Sequence, residues 1–201
     1  MWSISVWQIF RHAFIAIVVL FAARELDFSA GHVGLLFMVA ALGSLAATAV
    51  TARLNARFGM GPTMLAGIAG TGIAWLVMAS STGGFWVASL IFGAGLFALD
   101  LGAMIFFINY LSLRQSVTPD RLLGRVTATL ICLTVATAPL GGLAGGWVGE
   151  QWGLRTAMLL AGVGALLLAP LVAWLSPLMS MRELPGPQEL AVESVAEELT
   201  S

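Results

Sequence analysis

What most constrains this chain is a succession of long apolar stretches separated by short polar links. A hydrocarbon core about 30 Å thick takes about 20 helical residues to cross. Reading for such runs predicts six spans at about 2–23, 32–52, 62–80, 84–112, 126–148 and 154–176, with edges good to about 2–4 residues. Inside lipid each unpaired backbone group costs several kcal/mol, so these runs are expected as helices rather than open strands. The expected fold class is all-α, an integral membrane six-helix bundle over residues 1–176. The first run lacks a basic leader and a small-residue cleavage site before Glu25, so it reads as a span and not a signal peptide.

Composition excludes the soluble alternatives. The chain of 201 residues is 59% hydrophobic and 9% charged, with a mean hydropathy of +0.97, against about 45–50% and about 25% for soluble domains. All nine basic residues are arginines and ten residues are acidic, giving a net charge of −1. No basic surface for nucleic acid can be assembled from them. Cys132 is the single cysteine, so neither an internal disulfide nor a thiolate metal site is available, and no metal or cofactor is expected. The chain has no Gly-x-Ser-x-Gly elbow and no His-Glu-x-x-His helix, and it reads as a non-enzyme.

Arginine placement gives an orientation. Arg53, Arg57, Arg114, Arg121, Arg125 and Arg182 fall in the second link, the fourth link and the tail, while Arg24 and Arg155 fall on the opposite side. The positive-inside rule then puts both termini in the cytoplasm. Residues 177–201 carry Pro177, Pro185 and Pro187 followed by Glu189, Glu193, Glu197 and Glu198, the composition of a disordered acidic cytosolic tail.

An internal repeat is visible. Leu42-Gly43-Ser44-Leu45-Ala46 parallels Leu140-Gly141-Gly142-Leu143-Ala144, and each is followed by a link glycine, Gly59 or Gly153. Met64-Leu65-Ala66-Gly67 then parallels Met158-Leu159-Leu160-Ala161-Gly162. Three spans per unit reverse the second unit, so the pattern is that of an inverted-topology repeat, as in many secondary transporters. Small residues in spans two and five, Gly43 in one and Gly141, Gly142, Gly145 and Gly146 in the other, are expected at close helix contacts, with a kink at Pro139.

Asp100 lies near the midpoint of span four, where a carboxylate costs about 2.5–3.5 kcal/mol on insertion scales, so it is expected to face a cavity or a partner. A carboxyl held there is a candidate proton carrier. Arg11 and His12 sit midway along span one, at similar depth, and Asn109 lies toward the cytoplasmic end of span four. Structural readings stand beside these: Asp100 as a hydrogen-bonded packing group near Gly102, and Arg11 snorkelling to the surface.

The fourth link, Leu113-Arg114-Gln115-Ser116-Val117-Thr118-Pro119-Asp120-Arg121-Leu122-Leu123-Gly124-Arg125-Val126, resembles the loop between the tenth and eleventh helices of bacterial efflux proteins of the major facilitator superfamily, in the enterobactin-exporter-like or macrolide-efflux-like branch. Thr118 suits a helix cap, Pro119 the first helical position and Asp120 the positive helix end, and the three arginines are expected in water. The second link, Arg53-Leu54-Asn55-Ala56-Arg57-Phe58-Gly59, is similar to a worn copy of that superfamily's loop signature, with Ala56 where an aspartate is usual. Pro139-Leu140-Gly141-Gly142 is a weaker match to its antiporter motif. The resemblance covers the six spans and implies the C-terminal half of a twelve-helix carrier in a bacterial inner membrane. It implies an N-terminal half or a second copy as partner, a small-molecule substrate, and gating roles for Arg53, Arg57, Gly59, Arg114, Asp120, Arg121 and Arg125; a truncated product without transport activity alone is the alternative reading. In the family the first and fourth helices of each half line the cavity, which would bring Arg11, His12 and Asp100 together as a proton and substrate site.

Overall fold

The computed structural model describes residues 17–117 and 120–175, with part of the side chains in the last two helices left undescribed. Arg11, His12, Thr118, Pro119 and the tail 177–201 lie outside the described residues. The fold is all-α. Helix α1 covers residues 17–24 of the described chain, followed by α2 (Ala30–Phe58), α3 (Met60–Ala79), α4 (Phe85–Val117), α5 (Asp120–Trp152) and α6 (Leu154–Leu175). Among the described residues four stretches are long and apolar enough to cross a membrane: α2, α3, Phe85–Ser116 of α4 and Leu154–Leu171 of α6.

Helix ends differ from the expected links, and the reason is local. Charged side chains do not stop a helix; residues with special backbone geometry do. Thus α2 continues through Arg53 and Arg57 and stops only at Gly59, whose φ of 86° and ψ of 165° disfavour any residue with a Cβ. The Gly59 N–H donates to the Asn55 carbonyl at 2.9 Å, and its carbonyl accepts from Thr63 Oγ1 at 2.7 Å. Gly153 breaks α5 from α6 with the same φ of 86°. Helix α4 runs through Arg114 to Val117 and α5 already begins at Asp120, so most of the expected fourth link is helical. At the other end of α2, Ser29 caps the helix by accepting from the His32 N–H at 3.3 Å. Gly59→Ala is expected to cost about 1–3 kcal/mol of strain, whereas Gly31→Ala, in open helix surface, gains about 0.5–1 kcal/mol; thermal unfolding in detergent separates the two.

Helix α2 packs chiefly on α4, α4 on α3, α3 on α6, and α6 carries α5. Close approach comes from glycines. A Cβ built on Gly67 would lie 2.8 Å from the Gly102 carbonyl, and one on Gly102 would lie 2.8 Å from the Gly67 carbonyl. Gly72 and Gly162 meet in the same way across α3 and α6, each 3.0 Å from the other's carbonyl oxygen. Gly43 abuts the backbone of Phe97 and Leu101 on α4. In α5, by contrast, a Cβ on Gly142 or Gly146 meets nothing within 4 Å, so among the described residues these two glycines make no close helix contact, and the close approaches fall to α2, α3, α4 and α6 instead. Gly145 is buried and Pro139 is exposed inside α5; the surroundings of Gly141 lie outside the described set.

Apolar burial divides into two layers. The larger holds Phe21, Phe28, Leu36, Trp75, Met78, Phe92 and Met158, at the end where α2 and α4 begin. The smaller holds Met60, Met64, Ile68, Phe106 and Ala169 at the opposite end. The first layer is closed by Arg155 of α6, which pairs with Glu25 at 3.3 Å, donates to the Ser81 carbonyl at 3.0 Å and lies 5.4 Å from the Phe21 ring centroid. Both members of the ion pair are about one-third exposed, so the pair itself is worth little. Arg155→Gln is expected to cost about 1 kcal/mol, mostly through the carbonyl bond, read as a small fall in Tm.

Candidate functional site

Three polar cross-links join α2 to α4, and their order shows the two helices run parallel. At the end where both helices begin, His32 Nε2 lies 2.8 Å from Ser89 Oγ. The single proton of Ser89 goes to the Phe85 carbonyl at 2.7 Å, so the His32 Nε2–H is the donor in this pair. The ring is also held between Phe28 and Phe85, at 4.8 Å from each centroid.

In the middle, Ser44 Oγ donates to Asp100 Oδ2 at 3.3 Å. Gly43 makes this possible: without a Cβ it lets α2 approach the turn of α4 formed by Phe97 and Leu101, and that turn carries Asp100. At the end where both helices finish, Asn55 Nδ2 donates to Asn109 Oδ1 at 2.6 Å. Asn109 is 1% exposed and its amide N donates to the Ile105 carbonyl at 2.9 Å. The Asn55 Oδ1 is buried with no partner.

Helix rise fixes the depth of each cross-link. Ser44 lies about 18 Å along the axis from His32 and about 16 Å from Asn55, so the Asp100 link stands near the middle of a layer about 34 Å thick. Leu36 and Ala40 of α2 and Phe92 and Leu96 of α4 are buried between the His32 and Asp100 links. Asp100 is thus a half-buried carboxylate near the middle of the α2–α4 seam, accepting a hydrogen bond from Ser44.

The other described sequence candidates lie at the end of the bundle where α2 and α4 finish. Arg53 and Arg57 are exposed, Arg57 lying 5.3 Å from the Phe58 ring centroid, and Arg125 is exposed on α5. The side chains of Asp120 and Arg121 lie outside the described set. Arg114, expected in water, is instead half-buried, with one terminal nitrogen donating to Thr127 Oγ1 of α5 at 3.1 Å; α4 extends far enough past the link to lay it against α5. Among the described residues no three His, Cys, Asp or Glu side chains converge as a metal site.

Sequence reasoning missed His32, Ser44, Asn55 and Ser89. One signal was available: Ser44 and Asn55 are eleven residues apart, as are Ser89 and Asp100, and eleven residues return about three helical turns to the same face.

Apolar helices of spanning length are those of a multi-pass membrane protein. The family model of the Major Facilitator Superfamily matches residues 3–197, and the chain belongs to that family, whose members are transporters and not enzymes. Comparison with curated proteins and with solved structures gave no match.

Proposed function

We propose that this chain is one six-helix half of a secondary carrier that exports a small amphiphilic solute in exchange for protons. The observation that carries the reading is the Ser44–Asp100 hydrogen bond at mid-depth in the chain's α2–α4 pair. Intramembrane carboxylates are costly and are kept where they bind ions or move protons. In this scheme Asp100 takes up and releases the coupling proton, Arg11 tunes it or holds an anionic solute group, and His12 relays or hydrogen-bonds. Asn109 and Asn55 stand at the cytoplasmic end of the same seam.

The breaks at Gly59 and Gly153, each at φ 86° between successive helices, support two three-helix units in inverted repeat. The excess of arginines at the Gly59 end, against Arg24 and Arg155 at the other, supports a cytoplasmic location for both termini. The fourth-link likeness supports a bacterial inner-membrane efflux carrier, with the arginines from Arg53 to Arg125 as gating groups. An N-terminal half or a second copy then completes the cavity.

The test is accumulation of a panel of fluorescent amphiphilic solutes in cells with and without the chain. Lower accumulation that rises when the proton gradient is collapsed supports export by exchange, and equal accumulation across the panel counts against it. Intact mass of the native product tests the half-size reading: a value near 21.0 kDa gives a half-size carrier, and one near double from a continuous frame gives a single longer chain.

A further inference from the structure

Arg114 is a positive charge that the described residues leave unanswered. Its guanidinium is half-buried, one nitrogen is engaged by a neutral hydroxyl, Thr127 Oγ1, and Nε is buried with no hydrogen-bond partner. Among the described residues the one ion pair, Arg155–Glu25, lies at the opposite end of the bundle. Of the carboxylates whose side chains are described, Glu25, Asp27 and Glu150 also belong to that opposite end and Asp100 to the middle. A charge withdrawn from water calls for a counter-charge. A guanidinium supplies five N–H donors in a planar fork that matches oxyanions.

Depth selects the kind of anion. Arg114 lies fourteen residues beyond Asp100 on one continuous helix, about 21 Å along the axis. A half-bilayer is about 15 Å of hydrocarbon, reaching about 20–22 Å with its head groups. With the central cross-link at mid-depth, the guanidinium stands at the level of the phosphates, and basic clefts between helices at that level receive them. Exposed Arg53, Arg57 and Arg125 add positive charge at the same end.

We propose that Arg114, held in place by Thr127 of α5, binds a phosphate oxyanion. The phosphate belongs to an anionic lipid head group or is free in solution. The inference rests on membrane insertion and on the depth of the α2–α4 seam, and it stands whether or not Asp100 carries protons.

The test is native mass spectrometry of the full chain in mild detergent, with phosphatidylglycerol and phosphatidylcholine as probes. Wild-type protein is expected to retain phosphatidylglycerol preferentially, or to bind inorganic phosphate. Arg114→Gln is expected to lower the retained phosphatidylglycerol about fivefold, while Arg24→Gln, an equal charge change at the other end, leaves it unchanged. Displacement of the lipid by millimolar inorganic phosphate assigns a site open to free oxyanions, and resistance to it assigns a head-group site. The proposal is overturned if the wild type shows neither a lipid preference nor phosphate binding, a result that needs no variant to fold, or if both arginine variants lose lipid equally.

Discussion

Cells expressing Asp100→Asn are expected to lose proton-driven export of any solute the wild type clears, while the variant reaches the membrane at wild-type level or above. Asparagine has nearly the same shape, and its amide oxygen still accepts from Ser44, so the α2–α4 contact survives. What it lacks is the exchangeable proton. Each pH unit across the membrane is worth about 1.4 kcal/mol per proton, a factor of about ten in solute gradient that the variant forfeits. Removing a carboxylate also removes an insertion cost of about 2.5–3.5 kcal/mol, so transport and stability should move in opposite directions. Solute accumulation under an imposed pH gradient, scored beside the amount of folded protein, checks both halves of this expectation. Export by Asp100→Asn equal to that of the wild type would remove the coupling role.

The second large effect belongs to packing. Gly67→Val puts a Cβ 2.8 Å from the Gly102 carbonyl and 3.0 Å from the Phe106 amide. Both neighbours are backbone, which cannot rotate away, so α3 and α4 must part. Overpacking typically costs about 1–3 kcal/mol, and a backbone collision belongs at the top of that range. A Tm several degrees below wild type in detergent is the expected reading. An unchanged Tm would mean that α3 and α4 do not approach to this distance.

These two residues mark how far the sequence could be read. Asp100 was legible because a single carboxylate in a long apolar run is conspicuous whatever the fold, and α2, α3, α4 and α6 were legible because apolar length is a local property. Gly59 and Gly153 could be named as links because a chain break needs only local backbone geometry. Gly67 was seen as part of a repeat, yet its contact with Gly102 depends on how α3 and α4 are rotated against each other, which no local pattern fixes. Ser44 was hidden for the same reason: its hydroxyl matters only after Gly43 has brought α2 onto the turn carrying Asp100. Arg114 was misplaced because a link read from polarity took no account of the helix running on to Val117, which carries the guanidinium from water onto α5.

The central claim is exchange of solute for protons through the Asp100 seam, and proton movement in vesicles reconstituted with the full chain and any partner half tests it most directly. A solute gradient imposed on wild-type vesicles at equal pH on both sides is expected to drive protons the opposite way, seen as a pH change inside that a protonophore abolishes, and Asp100→Asn vesicles are expected to give none. Solute flux with no accompanying proton movement in the wild type, or equal proton movement in the variant, would contradict it.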